Sequence, residues 1–324
     1  MIRETLIRTL ICCAFFALAP TVHAVEAAYV AVGQRTPYAD LDPLPATRLA
    51  IPGGEIAVAF APGAPGPDRS RILDWVELSA RAVATYYGHF PAGMTRLLVV
   101  PKAGRGISGG RTWAHRGAAI RIRIGGSTTE QDLENDWVLV HEMTHLAFPS
   151  LPDRHDWLEE GLATYVEPIA RAQAGMLPAE AVWAGLVTGL PRGLPKSGDR
   201  GLDHTPTWGR TYWGGALYCL LADLEIRRRT ANRRGLQDAL RAILAAGNME
   251  TSSELAPVLA IGNRAVGVPV LTELYERMKD QPAPADLEAI WRRLGIQPDG
   301  RTVRFIEDAP EAAIRRAITA PPTG

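Results

Sequence analysis

The chain has little cysteine and no long hydrophobic run. Three of its 324 residues are cysteine. Cys12 and Cys13 lie in an amino-terminal segment that we expect to be removed, which leaves Cys219 without an internal partner. A fold held together by disulfides is therefore excluded, and Cys219 is predicted to be a small buried apolar residue. The apolar run at residues 10–19 is about ten residues long, half of what a membrane-spanning helix needs.

Net charge is also absent, and aromatic residues are few. The chain carries 35 basic and 35 acidic side chains, and 7% of its residues are aromatic. Balanced charge gives no general attraction to nucleic acid or to an anionic membrane surface. The one basic cluster has no interleaved aromatic residues, so it predicts a solvated helix end and no nucleic-acid site. The cluster consists of Arg227, Arg228, Arg229, Arg233 and Arg234.

The amino terminus has the pattern of a secretory signal peptide. Arg3 and Arg8 precede the apolar run, and the small-residue sequence VHA follows it and ends at Ala24. Residues 1–24 are therefore predicted to be cut after Ala24. This places the mature protein in the periplasm or outside the cell, with no stable membrane insertion.

The rest of the chain divides by composition into three segments. They are a short β-rich segment with a linker at 25–67, a main domain at 68–319 and a tail at 320–324. Hydrophobic periodicity in the main domain predicts a helix at 71–87, strands at 96–100 and 118–124, and mainly helices after residue 130. The strand at 118–124 alternates Ile and Arg, which is typical of an edge strand with one apolar face.

The residues His141-Glu142-Met143-Thr144-His145 form an HExxH motif. Residues four apart share one face of a helix, so both imidazoles can reach one metal ion. The glutamate would stand beside the open coordination position, where zinc peptidases hold the attacking water. Apolar residues around the motif follow a helical period without Gly or Pro, which predicts a mostly buried helix. The other interpretation is an ordinary core helix with two hydrogen-bonded histidines.

A catalytic zinc site needs a third protein ligand. The sequence WLEEGLATY, from Trp157 to Tyr165, resembles the W-L-x-E-G-x-A pattern of the gluzincin metallopeptidases. This resemblance implies that Glu160, just before the glycine, is the third zinc ligand. Its neighbour Glu159 faces about 100° away on a helix and is interpreted as a solvated carboxylate. His155 is a rival third ligand, although it lacks the metzincin spacing.

A further block, YWGGAL, starts at Tyr212 and leads into a long apolar helix. It resembles the Y-x-K-G-A helix of the aminopeptidase N and glycyl aminopeptidase families, and the similarity extends over roughly residues 70–297. The resemblance implies an α+β fold: a thermolysin-like zincin catalytic domain with a small β-rich amino-terminal part and a mainly helical carboxyl-terminal part. It also implies that Tyr212 hydrogen-bonds the oxyanion of the tetrahedral intermediate. Gly214 departs from the pattern, because those families often have lysine there.

A second departure lies at the strand that binds the substrate in those families. Their Gly-Gly-x-Glu motif supplies a carboxylate for the free amino terminus, whereas this chain reads SGGRTW, with Thr112 or Trp113 at the glutamate position. A buried ammonium group needs an opposing charge, and Arg111 would repel one. The sequence therefore predicts cleavage of internal bonds or blocked peptides, bound as an added strand along residues 118–124. Glu159, or a carboxylate in the 199–203 loop, is the alternative source of the missing charge.

These observations predict a zinc metallopeptidase that binds one Zn²⁺ per chain and acts on a peptide or protein substrate. The metal ligands are His141, His145 and Glu160, and the catalytic residues are Glu142 as general base and Tyr212 as oxyanion donor. The alternative is a catalytically weak or inactive zinc-binding pseudo-peptidase that binds peptides or envelope partners.

Overall fold

The computed structural model describes Leu41 and residues 44–63 and 66–322. The predicted signal peptide, residues 1–24, lies outside the described residues, as does the end of the predicted tail. Within the described ranges, every helix is too short or too polar to cross a bilayer.

Five strands form one mixed sheet in the amino-terminal part of the chain. They are β1 (Ala46–Ile51), β2 (Gly54–Phe60), β3 (Met94–Lys102), β4 (Ile107–Trp113) and β5 (Ala118–Gly125). Their order is β1-β2-β3-β5-β4, with β2, β3 and β5 parallel and the two outer strands antiparallel to their neighbours. The predicted β-rich segment therefore contributes strands to the same sheet as the main domain, while the boundary at residue 67 stays a prediction.

The predicted strands at 96–100 and 118–124 are confirmed, but the edge position of the second is wrong. β5 lies between β3 and β4, so both of its backbone edges are already paired. The alternation of Ile and Arg indicated one solvated face. Arg121 on that face is instead buried, beside an apolar cluster on the same side of the sheet that includes Leu41 and Leu98, and its guanidinium lies over the Trp113 ring. The edge strand at this end of the sheet is β4.

Helices make up most of the chain after the sheet. They are α1 (Arg69–Tyr87), α2 (Glu130–Glu134), α3 (Val138–His145), α4 (Asp156–Gln173), α5 (Ala179–Gly189), α6 (Gly215–Arg229), α7 (Leu236–Ala246), α8 (Leu255–Val266), α9 (Val270–Met278), α10 (Leu287–Leu294) and α11 (Ala312–Thr319). A small hairpin, β6 (Ile296–Asp299) and β7 (Thr302–Phe305), precedes α11. The predicted α+β architecture, sheet first and helices after, is confirmed.

The main core lies between the inner face of the sheet and the helices. Ile120, Ile122 and Ile124 of β5 face α1 and the helices behind it, and all three are buried. Cys219 on α6 is also buried in this core, as predicted, and burial raises the pKa of its thiol well above the ordinary value. Within this core α3 packs against β4 and β5, and α4 packs against α3 and α1 on the helical side.

The arginine cluster at the end of α6 is less solvated than predicted. Arg227 is buried and donates to Asp223, and Arg228 forms a two-point hydrogen bond with Glu311. These arginines tie α6 to α11 and to the core, so their role in the fold is structural.

Candidate active site

The side chains of His141, His145 and Glu160 converge where α3 crosses α4. Their ligand atoms all lie within 4.8 Å of one another. Glu160 Oε2 is 3.1 Å from His141 Nε2 and 3.6 Å from His145 Nε2. Four ligands at about 2.1 Å around a tetrahedral zinc lie roughly 3.4 Å apart. The two measured separations bracket that value, so the donor set fits a zinc ion.

Local sequence explains why α3 presents its histidines to the cleft. Asp136 accepts hydrogen bonds from the backbone N–H groups of Val138 and Leu139, which satisfies amides at the start of the helix. Leu139 and Met143 are fully buried in the core and fix the rotation of the helix. The opposite face then carries the two imidazoles.

The protonation states suit metal binding. Burial, with a smaller contribution from His141, lowers the pKa of His145 to about 4, so this imidazole is neutral at pH 7. Burial alone would favour protonated Glu160, but its hydrogen bond with His141 and the nearby His145 outweigh burial and lower the pKa of Glu160. Metal binding requires neutral imidazoles and ionised carboxylates, and the shifts at His145 and Glu160 are in these directions.

Glu142 faces the edge strand β4. The Thr112 hydroxyl lies 2.7 Å from Glu142 Oε2 and 2.9 Å from the Glu142 carbonyl oxygen, and it can donate to either. A Cβ on Gly110 would come within 2.5 Å of the Glu142 side chain, so a larger residue here would displace that carboxylate. Burial raises the pKa of Glu142, and the hydrogen bond from Thr112 partly offsets this shift. The carboxylate is thus held in one orientation by the sheet.

Tyr212 reaches the same cleft from a π-helical turn, Gly209–Gly214, that leads into α6. Its ring stacks on His141 with the ring centroids 6.3 Å apart, and its hydroxyl hydrogen-bonds Glu160. Burial, together with the charges of Glu160 and Glu142, raises the pKa of Tyr212 to about 12. The phenol therefore keeps its proton at neutral pH and is available as a donor. π-Helical turns often occur at functional sites, where they redirect a side chain.

Two glycines set the spacing between Tyr212 and Glu160. Gly161 follows Glu160 on α4, and Gly215 follows the π-helical turn at the start of α6. A Cβ on Gly161 would overlap the backbone of Gly215, and a Cβ on Gly215 would overlap the carbonyl oxygen of Trp157. The two helices therefore cross in direct backbone contact.

The cleft around these groups has a volume of about 290 Å³. Its lining includes Gly110, Arg111 and Thr112 on the sheet side and Asp156, Glu159, Glu160 and Tyr212 on the helical side. The interpretation of Glu159 as a solvated carboxylate is wrong. Its Oε1 accepts a hydrogen bond of 2.8 Å from the Leu151 N–H, and burial raises the pKa of Glu159 to about 7.

His155, the rival third ligand, lies away from the three converging side chains. It is buried, and its Nδ1 lies 3.2 Å from Asp203 Oδ1. Asp203 also accepts hydrogen bonds from Trp157 and Tyr275. Asp199 forms a buried ion pair with Arg210. The carboxylates of the 199–203 loop are therefore engaged in the fold, which leaves Glu159 as the remaining one of the two sources of negative charge named from the sequence.

Sequence reasoning missed the contact of Thr112 with Glu142, as well as the roles of Gly110 and Gly215. The SGGRTW sequence differs from the family motif by lacking a glutamate. Gly110 and the Thr112 hydroxyl both contact Glu142, and this contact is visible only once β4 is placed beside α3.

Comparison with known proteins gives a fold but no family membership. No protein-family model matches the chain, and no curated protein matches it. An aminopeptidase N family protein from Idiomarina loihiensis is similar over 82% of this chain and 53% of its own, with a TM-score of 0.56 and 14% identity. An M1 zinc metallopeptidase from Deinococcus radiodurans is similar over 74% of this chain and 52% of its own, with a TM-score of 0.48 and 16% identity. The fold thus resembles that of the aminopeptidase N family protein, and the chain spans about half the length of these structures.

Proposed function

We propose that this chain is a zinc-dependent peptidase of the gluzincin type. His141, His145 and Glu160 would hold one Zn²⁺, and this proposal depends above all on their convergence within 4.8 Å. The presence of Glu142 and Tyr212 in the same cleft favours catalysis, because a purely structural site would need neither a base nor an oxyanion donor.

Each residue has a distinct part in the proposed reaction. A bound zinc ion lowers the pKa of a water molecule and polarises a carbonyl group. Glu142 takes the proton of the attacking water and passes it to the leaving amine. Thr112 keeps the Glu142 carboxylate turned toward that water through its hydrogen bond of 2.7 Å. Tyr212 donates its hydroxyl hydrogen to the oxyanion, where negative charge develops in the transition state.

The substrate backbone would pair with β4. Within the described residues this strand pairs with β5 on one side only, and its other edge borders the cleft. An extended peptide can add to such an edge through main-chain hydrogen bonds. This replaces β5 as the predicted binding strand. We also propose, from the amino-terminal sequence, that the protein acts on peptides or proteins in the periplasm or outside the cell.

We further propose that internal bonds or blocked peptides are preferred. The sheet wall presents Arg111 and the Thr112 hydroxyl near Glu142, so it offers no carboxylate to a free amino terminus. Glu159 on the opposite wall is the feature that could reverse this preference.

The first test is zinc content together with hydrolysis. Protein purified without added metal should carry about one zinc per chain, and His141→Ala and Glu160→Ala should lose it. His204→Ala is the matched control, because this exposed imidazole pairs with Asp280 on the surface. Glu142→Gln should keep zinc and lose hydrolysis by about a hundredfold or more, since the amide cannot accept a proton.

Two outcomes would contradict the proposal. Full zinc content in both ligand variants would refute the ligand assignment. Zinc binding without hydrolysis in the unaltered protein would favour the pseudo-peptidase alternative. Digestion of an unbiased peptide library reads out both the activity and the cleavage position.

A further inference from the structure

A second cavity adjoins the cleft and differs from it in chemistry. It has a volume of about 500 Å³ and lies behind the metal-ligand cluster, between α4, α5 and the π-helical turn. His141 and Tyr212 line both the cleft and this cavity. The cavity therefore adjoins the cleft at these two side chains, directly beside the proposed reaction centre.

Three tryptophans dominate its lining. Trp137, at the start of α3, and Trp208, before the π-helical turn, are 52% and 59% exposed, among the few large apolar side chains left to solvent in the described chain. Trp137 meets His141 edge-on with the centroids 5.5 Å apart, and Trp208 lies 5.9 Å from Tyr212. Contiguous exposed apolar surface of this kind marks a binding site more often than a chance feature.

The third tryptophan is rigidly placed. A Cβ on Gly189 would overlap the ring of Trp213, so α5 and this indole are in direct contact. Val182 and Leu186 of α5 complete the apolar wall and are buried. A preformed apolar cavity of a few hundred Å³ is the usual form of a site that binds a large apolar group.

The charges around the cavity do not favour a cationic guest. Glu167 is its one acidic lining residue, and its Oε1 accepts a hydrogen bond of 3.0 Å from Arg171 within a buried ion pair. Arg192 stacks over Trp208 with its guanidinium carbon 5.9 Å from the ring centroid. The acidic group is thus neutralised and a cation stands at the wall, which disfavours a cationic occupant.

We propose that this tryptophan-lined cavity binds a large apolar or aromatic side chain of the substrate, from a residue adjoining the scissile bond. The proposal rests on the proposed peptidase function and adds a substrate class to it. The cavity and not the polar cleft would set side-chain preference, because the cleft wall next to the metal ligands consists mainly of charged groups and backbone.

Gly185 offers a direct way to fill the cavity. It lies on α5 and lines the cavity, and a Cβ at this position would meet no atom within 4 Å. Leucine also favours a helix more than glycine does, so Gly185→Leu should fold normally. Thr188→Leu is the matched control, because Thr188 lies on the same helix, is exposed and does not line the cavity.

The experiment compares peptides blocked at both ends that differ at one position, with Ala, Leu, Phe, Lys or Glu there. The unaltered protein and Thr188→Leu should prefer Phe or Leu over Ala at one position by about tenfold to a hundredfold in kcat/KM, as burial of a large side chain predicts. Gly185→Leu should reduce that preference to about threefold or less. A preference for Lys, Glu or Ala, or one unchanged in Gly185→Leu, would overturn the proposal.

Binding of the same peptides to Glu142→Gln protein, measured by calorimetry, separates this proposal from the catalytic one. In one outcome the Phe peptide binds selectively and Gly185→Leu weakens that binding, while the unaltered protein hydrolyses none of the peptides. That result would support side-chain binding in the cavity and refute the peptidase function. Hydrolysis without side-chain selectivity in either assay would refute the cavity alone.

Discussion

The two walls of the cleft are built from unlike parts. The sheet wall, β4, contributes backbone, the hydroxyl of Thr112 and the exposed cation Arg111. The helical wall contributes the proposed ligand Glu160, the proposed proton donor Tyr212 and further carboxylates. One wall is suited to hold an extended chain, and the other to perform the chemistry. A peptide lying between them would be oriented by main-chain pairing on one side and activated from the other.

The walls also differ in how firmly they are fixed. β4 carries an irregularity in its pairing with β5 between Ser108 and Arg111, a stretch that includes Gly110, which lines the cleft. The helical wall is fixed by the backbone contact of Gly161 with Gly215 and by a buried hydrogen bond from Tyr165 to Asp223. Changes to the helical wall should therefore cost more activity than equivalent changes to the sheet wall.

Among changes to the two walls, Tyr212→Phe should lower the catalytic rate most. Removing an oxyanion donor lowers kcat by roughly tenfold to a thousandfold, and zinc content should change little. Tyr218→Phe is the control, since the Tyr218 hydroxyl donates to the Leu271 carbonyl in the core. It should lower thermal stability but leave the rate per folded molecule unchanged. Equal rates per folded molecule for Tyr212→Phe and Tyr218→Phe would show that Tyr212 has no part in the reaction.

A smaller effect is expected on the sheet wall. Thr112→Val keeps the shape of the side chain but removes the hydrogen bond that orients Glu142, and kcat should fall about tenfold with KM nearly unchanged. Thr112→Ser should restore most of the rate. Thr95→Val is the control, because the buried Thr95 hydroxyl has no hydrogen-bond partner within the described residues. A fall in zinc content instead of kcat would show that Thr112 acts on the fold.

The smallest effect concerns the charge difference between the walls. Acetylating the amino terminus of a peptide removes the ammonium group that Arg111 would repel, and a partly exposed charge pair changes rates by about twofold to fivefold. The acetylated peptide should be cleaved faster by that factor, and Glu159→Gln should leave the ratio unchanged.

Glu159→Gln keeps an oxygen for the Leu151 N–H, so the local fold is retained. A strong preference for the free peptide, lost in this variant, would make Glu159 the ammonium anchor and the protein an aminopeptidase.

Local sequence patterns were sufficient to predict several helices and strands of this fold. The helix predicted at 71–87 is α1, Arg69–Tyr87, and the HExxH residues lie on α3 as their apolar spacing indicated. These features depend on neighbours in the sequence, which is why periodicity reveals them.

Strand order and side-chain environment could not be obtained in this way. Which strand lies at the sheet edge depends on pairing between distant segments, and β4, with its glycines, has little of the alternation that marks a strand. Glu159 was misassigned because the cleft extends around α4 far enough to include it. The contact of Thr112 with Glu142 joins residues 30 apart and has no local signature.

The crossing of Gly161 and Gly215 has a consequence for recognising distant sequences of this kind. Where two backbones touch, the positions that can tolerate the contact are restricted to one residue type. The glycine after the third ligand and the glycine three residues after the tyrosine thus form a pair of coordinates that locate both functional groups. A search that requires both glycines at these offsets would still find the tyrosine where the residue just before the second glycine has changed. That residue is lysine in some families and Gly214 here.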